Sequence, residues 1–471
     1  MTHRGCLMGL ALVALGCRGQ EPESDPGFGT LPQTETPWGS DAPTEGELAT
    51  QPTLTGPAPR NLVWISIDTF RKDHWTRYDP KQRSLTPFLD GLLARGFVAD
   101  RHRTCSSWTY HGVSCGVSGR YPMESGMLPK LNVSQREPWP KGSRFIGDYL
   151  RDSGFYTVLS SSNIVVSEDL FNTTAYEDLH LTPSGQAETV YFLGADTLQE
   201  TVDAGGVDRW FLHLHFLEPH AAYDAPEQFK VGIEDLEPIP WDLSDREGHY
   251  DAAWDAHPTL DSNEQDLLEA HLRLEYEAEV RWLDAQLAAA WANLEQRGWL
   301  EDTLVVVWTD HGEQFYERGH QSHGFELNVE ENDGVLAFWA RTLQAGVTTL
   351  PTSQIDIVPT TLDLLGLPIP GEVTGERLAD VQADRVLHAA VHGRSGMLQS
   401  VALEDHQLIY DWSGSVAFYD NATDPGQLDP SYDPTDPTVQ ALWALMQPRI
   451  SLAEPLATEH TPVAPPDLPA P

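Results

Sequence analysis

Two acids in this chain stand where an apolar run stops. TLVVVWT ends on Asp310-His311-Gly312-Glu313, and NLVWISI ends on Asp68. A buried strand that ends on a carboxylate presents it at the mouth of a sheet. Two such strands, with a histidine beside one acid, offer two hard oxygens and one imidazole nitrogen to a single ion. That donor set suits Mn, Ca, Mg or Zn and does not choose among them. Asp68 taken alone also reads as a helix N-cap after a strand. The two strand-end acids together with His311 point to a metal site. A hydroxyl could complete it. Thr109, in SSWTYHGVSCGVSGRYP, precedes a glycine-containing stretch able to open a helix. There the helix dipole favours an alkoxide, and backbone N–H groups can hold an oxyanion. Metal coordination would lower the hydroxyl pKa further. The chemistry indicated is that of a metallohydrolase.

The elements that must position these groups alternate along the chain. NLVWISID reads as a buried strand. TPFLDGLLARG reads as a helix with Thr86 as N-cap, Pro87 at its first position and Gly96 as its stop. SRFIGDYLRDSG is a second helix, followed by the strand YTVLSSS. WFLHLHFLEPH is a strand running into a loop. Residues 264–298 carry helical periodicity. TLVVVWTD is a strand, and IDIVPTTLDLLGL a helix after a short loop. Alternation of this kind predicts an α/β fold, a mostly parallel sheet sandwiched by helices. Ligands in such folds bind at the carboxyl ends of the strands, where Asp68 and Asp310 stand. From about 385 to 450, short alternating runs and turn signals predict a small C-terminal antiparallel sheet plus a helix near 437–450.

Charge narrows the partners. The 471 residues carry 29 basic and 71 acidic side chains, a net charge of −42. This excludes nucleic acid and anionic membrane surfaces as primary partners, and any anionic substrate must be held by local metal or imidazole. The N-terminus has a positive start at Arg4, an apolar stretch from Leu7 to Leu15 and the small residue Gly16 before Cys17. Ala14-Leu15-Gly16-Cys17 resembles a bacterial lipobox, with Cys17 as the acylated residue; an ordinary secretory signal with a chance cysteine is the other reading. The expected organisation is a lipoprotein signal at 1–17, a disordered Pro/Thr-rich acidic tether at 18–58, a catalytic domain at 59–384, a C-terminal subdomain at 385–452 and a Pro-rich tail at 453–471. The membrane is met only through the lipid, and the setting is exported, in the bacterial cell envelope. Cys105 and Cys115 remain in the mature chain, as a disulfide or as two buried thiols.

At least seven motifs from about 60 to 430, in order, resemble the sulfatase family of the alkaline phosphatase superfamily. They include NLVWISIDTFRKDH, the SSWT to SGRYP loop, LHFLEPHAAYDAP, LEDTLVVVWTDHGE, QSHGFELNVEE and SVAFYDNATDPGQ. The resemblance implies an alkaline phosphatase-like fold. It makes Asp68, Asp310 and His311 metal ligands, with Thr109 as nucleophile and further ligand. It places His220 on the substrate-binding histidine and His323 on the position that contacts the transferred group's oxygens and assists the leaving group. His320 competes for the role of His323. Arg71 and Lys130 are candidates for oxyanion or supporting contacts.

The nucleophile loop departs from the family. Authentic sulfatases carry Cys or Ser in a C/S-x-P-x-R setting and oxidise it to formylglycine. Here Thr109 holds that position, His111 replaces the proline and Val113 the arginine. Threonine cannot yield the aldehyde, and neither cysteine has the Pro and Arg of a displaced modification site. His111 is the candidate to replace the lost basic group. The expectation is cleavage of sulfate or phosphate/phosphonate esters, with a glycan or lipid headgroup as the ester's carrier. The alternatives are a phosphoryl-alcohol transferase acting on envelope glycans or lipids, and a surface lipoprotein with impaired catalysis.

Overall fold

The computed structural model describes residues 48–79, 81, 83–128, 139–166, 175–183, 185–245, 249–457 and 459–468. The signal, Cys17, most of the tether and Lys130 lie outside the described residues.

The strands are β1 (Asn61–Ile67), β2 (Phe97–Arg103), β3 (Tyr156–Ser161), β4 (Asp178–Leu181), β5 (Trp210–Phe216), β6 (Thr303–Thr309), β7 (Gln314–Phe315), β8 (Gln321–Ser322), β9 (Leu336–Trp339), β10 (Gly346–Ser353), β11 (Leu387–His392), β12 (Met397–Leu403), β13 (His406–Asp411) and β14 (Val416–Asp420). The helices are α1 (Pro87–Leu93), α2 (Thr109–Ser118), α3 (Pro122–Ser125), α4 (Ile146–Asp152), α5 (Ala187–Ala204), α6 (His249–Ala256), α7 (Ser262–Gln296), α8 (Val329–Asn332), α9 (Ile357–Leu364) and α10 (Pro437–Ala453). Eight strands form one sheet in the order β10-β2-β9-β6-β1-β5-β3-β4, in which β9 alone runs against its neighbours. β11 to β14 form the separate antiparallel sheet. The expected mostly parallel α/β architecture with its C-terminal sheet and helix is the one observed.

β1 sits at the centre because it is apolar on both faces. Val63, Ile65 and Ile67 join a core with residues of α1, α5 and α7, and Leu62 and Trp64 join a second core with residues of α2, α4 and α9. A period of two divides one strand between two helix layers. α7 begins in a capping box, in which the Asp261 side chain accepts from Asn263 and Glu264 N–H while Glu264 reaches back to Asp261 N–H.

The start of α1 is more tertiary than its sequence indicates. Thr86 occupies the N-cap but makes no capping bond; its hydroxyl lies 3.2 Å from Thr76 Oγ1. The Phe88 and Leu89 N–H groups donate instead to the buried Asp284 carboxyl of α7, at 2.8 and 2.9 Å. Burial pushes Asp284 up to about 8.

Two segments expected to be loose are docked. Residues 48–58 lie against the β10 side of the sheet through bridges from Leu48 to Val347 and from Leu54 to Leu343. In the tail, Val463 N–H donates to Trp412 O at 2.9 Å, Tyr410 OH to Val463 O at 2.8 Å and Tyr432 OH to Pro466 O at 2.7 Å. Proline removes donors but leaves carbonyls, and tyrosine hydroxyls take up such acceptors. No helix among the described residues is long and apolar enough to cross a membrane.

Candidate metal centre and nucleophile

Three adjacent parallel strands end at one place. β1 pairs with β5 on one side and β6 on the other. Asp68 N–H continues the ladder to Phe216 O at 3.0 Å, and Asp310 N–H to Ile67 O at 3.2 Å. Asp68 and Asp310 thus emerge side by side, and the third member of the cluster is His215, on β5. All three are fully buried and offer ligand atoms within 4.8 Å of one another. His311 Nε2 lies 3.6 Å from both Asp68 Oδ1 and Asp310 Oδ2. Its Nδ1 is 2.8 Å from Gly312 O, and His215 Nδ1 is 2.8 Å from Ser66 Oγ. A bond donated from Nδ1 leaves the Nε2 lone pair for the carboxylate side. Thr69, just beyond Asp68, turns the chain with φ of 54°. For a β-branched residue that costs about 1–3 kcal/mol. Asp310 Oδ1, accepting Thr69 N–H at 3.2 Å, and Tyr276 OH, donating to Thr69 O at 2.7 Å, hold it there.

The residues fit a divalent cation. Asp310 Oδ2 and His215 Nε2 are buried without a hydrogen bond. Burial pushes Asp310 up to about 8 and pushes the His215 and His311 imidazoles down. Two carboxylates this close in a dry site are unfavourable unless protonated or facing a cation. Asp68, Asp310, His215 and His311 are the groups that would hold it.

Thr109 is the first residue of α2, at the positive end of the helix dipole. Its Oγ1 donates to Asp68 Oδ1 at 3.5 Å and lies 3.1 Å from His311 Nε2. A disulfide joins Cys105, before α2, to Cys115 within it, which closes the alternative of two free thiols. Cys105 N–H donates to Gln354 Oε1 at 2.8 Å, and Gln354 Nε2 donates to Thr309 O and Asp310 O at 2.9 and 2.7 Å. One glutamine therefore ties the loop that leads into Thr109 to the end of β6.

Histidines line the other side. The His323 ring centre is 4.4 Å from that of His311, 5.1 Å from that of His220 and 6.0 Å from Trp108. His323 Nδ1 lies 3.2 Å from Glu313 Oε1. Burial first, then the neighbouring Glu331 and Asp68 carboxylates, push Glu313 well above the ordinary carboxylate range. His320 is stacked on Phe325 with ring centres 4.4 Å apart.

Arg71 is placed elsewhere. Its guanidinium donates to both Asp73 oxygens at 2.9 and 2.7 Å, to Glu317 at 2.6 Å and to Glu313 O at 3.0 Å. Two carboxylates and a carbonyl occupy the fork, so it serves the Asp68–Asp73 turn rather than a substrate oxyanion. His111 is fully buried, with Nδ1 3.5 Å from Ser106 Oγ and its ring 5.8 Å from that of Tyr110. His215, Gln354 and Asn163, which donates to Asp68 Oδ2, were not among the expected site residues. The signal for His215 was available: HLH alternation inside an otherwise apolar buried strand.

Residues 60–367 match the Sulfatase family model. The chain belongs to the sulfatase family. It is 28% identical over 169 residues to a choline-sulfatase of Rhizobium meliloti, covering 34% of this chain and 32% of that one. It is 26% identical over 201 residues to a multifunctional alkaline phosphatase superfamily protein of Trinickia caryophylli, covering 37% and 38%. The chain thus spans about a third of the length of these curated relatives. Among solved structures, one in complex with its substrate D-glucosamine-2-N,6-O-disulfate superposes with a TM-score of 0.65 at 14% identity, over 85% of this chain and 99% of that one. A phosphonate monoester hydrolase of Silicibacter pomeroyi superposes with a TM-score of 0.63 at 18% identity, over 85% and 96%. At such identities the likeness establishes the shared fold of this sulfatase-family chain.

Proposed function

We propose that this chain is a metal-dependent hydrolase of sulfate or phosphate/phosphonate esters that uses the unmodified Thr109 hydroxyl as nucleophile. The observation that carries the reading is the position of Thr109 Oγ1, within 3.5 Å of Asp68 Oδ1 and 3.1 Å of His311 Nε2 at the start of a helix. Thr109 Oγ1 attacks the sulfur or phosphorus in line with the leaving oxygen, its proton passing to Asp68 Oδ1. As the ester bond breaks, the departing oxygen takes a proton from His323, whose ring Glu313 orients. His220, stacked edge-on against His323, binds the equatorial oxygens. Water, giving a proton back to His323, then attacks the Thr109 ester; the oxyanion is released and Thr109 Oγ1 takes back the proton held by Asp68. A bound divalent cation would lower the pKa of the Thr109 hydroxyl and offset negative charge on the transferred group. Phosphate and phosphonate esters suit this centre better, because a sulfate left on an ordinary hydroxyl resists release.

Export as a lipoprotein acylated at Cys17, tethered in the bacterial envelope and meeting an ester on a glycan or lipid headgroup, is the setting that the N-terminal sequence favours. Incorporation of labelled palmitate that is lost in Cys17→Ser checks it. For the chemistry, the mature chain is assayed with Mn, Ca, Mg or Zn on aryl phosphate mono- and diesters, a phenylphosphonate ester and an aryl sulfate. Thr109→Ala and Asp310→Ala are each expected to abolish turnover; activity that survives both would refute the site.

A further inference from the structure

Arg394 lies in the turn between β11 and β12, far along the chain from every group in the centre. Its backbone N–H donates to Gly324 O at 2.9 Å, next to His323. Two glycines make this approach possible. A Cβ on Gly393 would stand 2.1 Å from Gly324 O, and one on Gly324 would stand 2.1 Å from the Trp108 ring. The turn, the His323 loop and Trp108, the residue just before Thr109, are therefore stacked backbone on backbone on ring. The Arg394 guanidinium carbon sits 5.3 Å from the centre of Trp108, 5.1 Å from Trp254 and 5.5 Å from Phe325. Trp254 comes from α6, so three separate segments build the rings around this one cation.

The cation has no acid in contact with it; the Glu313 carboxyl, beside His323, feels its charge from beyond ion-pairing distance. No carboxylate lies within ion-pairing distance of Arg394, and its side chain makes no hydrogen bond, among the described residues. The side chain is exposed. In a chain with 71 acidic and 29 basic residues, leaving an arginine unpaired is unusual, and here it happens beside the nucleophile. Arg71 shows the contrast: it follows Asp68 by three residues, yet two carboxylates hold it. Aromatic faces position a guanidinium while leaving its in-plane N–H groups for a planar oxyanion. Trp108 touches both Arg394 and His323, so that oxyanion would belong to the part of the substrate that leaves on the His323 side.

We infer that Arg394, held by Trp108, Trp254 and Phe325, is a specificity residue that selects esters whose leaving alcohol bears a second negative charge. The inference rests on the hydrolase reading above and names the substrate class for that site. A carboxylate and a second sulfuryl or phosphoryl group share the oxyanion chemistry Arg394 recognises.

The test compares aryl esters that differ only in the para group: carboxylate, sulfonate and the neutral carboxamide. The read quantity is the ratio of kcat/KM for each anionic ester to that for the carboxamide, which cancels general damage to the centre. Arg394→Gln is expected to lower the ratio about tenfold, the size of a charge-assisted forked contact, and added salt to lower it in the wild type but not in the variant. A drop for carboxylate alone, or for sulfonate alone, identifies which oxyanion is read. Binding of the product 4-hydroxybenzoate against 4-hydroxybenzamide, followed by tryptophan fluorescence, supplies a readout without turnover; only the wild type is expected to prefer the acid. Should the Gln variant melt early, Arg394→Lys keeps stem and charge without the fork, and an intermediate ratio is expected. Hydrolysis of all esters with equal ratios in wild type and variants overturns the role of Arg394 and leaves the hydrolase reading intact. No hydrolysis, with the acid still preferred only by the wild type, overturns the hydrolase reading and leaves the anion site standing.

Discussion

Gly112→Ala tests whether the approach of α2 to the end of β6 sets the geometry of the centre. Intrinsic propensity says the change should help, since alanine in a helix interior is favoured over glycine by about 1 kcal/mol. The structure says otherwise. A Cβ at 112 would stand 2.6 Å from Asp310 O and 3.2 Å from Asp310 C, both backbone atoms that cannot swing away. Ordinary contact begins near 3.4 Å, so α2 and the Asp310 turn must separate by roughly 0.8 Å. Overpacking of this kind costs about 1–3 kcal/mol, which cancels or exceeds the gain in propensity. The larger effect falls on activity. Thr109 begins α2 and Asp310 is the carboxylate group it must face, and a misplacement of about 1 Å costs on the order of 10²-fold in rate. The assay is kcat/KM on the best aryl ester, with bound metal measured by mass spectrometry and the melting temperature measured alongside. Gly371→Ala, which meets nothing within 4 Å, is the control and is expected to behave as wild type. A Gly112→Ala protein with wild-type kcat/KM and a raised melting temperature would refute the reasoning, because propensity would then have decided the outcome alone.

Three further outcomes are expected. His215→Gln keeps a side chain able to reach Ser66 but loses the imidazole lone pair, so metal affinity in a chelator competition falls by about tenfold or more; unchanged affinity would make His215 a packing residue only. The Cys105–Cys115 bridge closes a loop of sequence separation 10, worth about 3 kcal/mol by chain entropy. Urea unfolding of Cys105→Ala/Cys115→Ala should show that loss, and an unmoved midpoint would count against it. Glu279, under the His220 loop, accepts Ala225 N–H and is pushed up to about 9 by burial, then by Asp224 and Glu218. Its folded pKa lies above the unfolded value near 4.5, so its contribution is full below that pH and is lost as pH rises through about 9. Glu279→Gln should therefore melt at a less pH-dependent temperature between pH 5 and 9 than the wild type; parallel curves would show that the carboxyl does not titrate in this range.

Much of the fold was legible because its signals are local. Apolar runs ended by an acid located β1, β6 and their acids. N-cap and stop residues located α1 and helical periodicity located α7, each to within a few residues, and short alternating runs located the C-terminal sheet. α5 was passed over, although its buried positions Ala187, Val190, Tyr191 and Leu198 recur at helical spacing. The docked tail and residues 48–58 were read as loose because proline-rich composition reports the donors a segment lacks, not the acceptors a neighbouring surface can use.

The site divides in the same way. The sequence by itself determined that Asp68 and Asp310 cap buried strands and that Thr109 can start a helix, because burial and helix starts follow from residue order within a few positions. Only the tertiary structure decided that β1 lies between β5 and β6, which brings His215 to the acids. It also decided that Glu317, 246 residues away, pairs with Arg71, and that Arg394 and Trp254 meet beside Trp108. Periodicity states which side of a strand or helix is covered. Which surface covers it depends on strand order and packing, and these are settled by the summed burial of the whole chain.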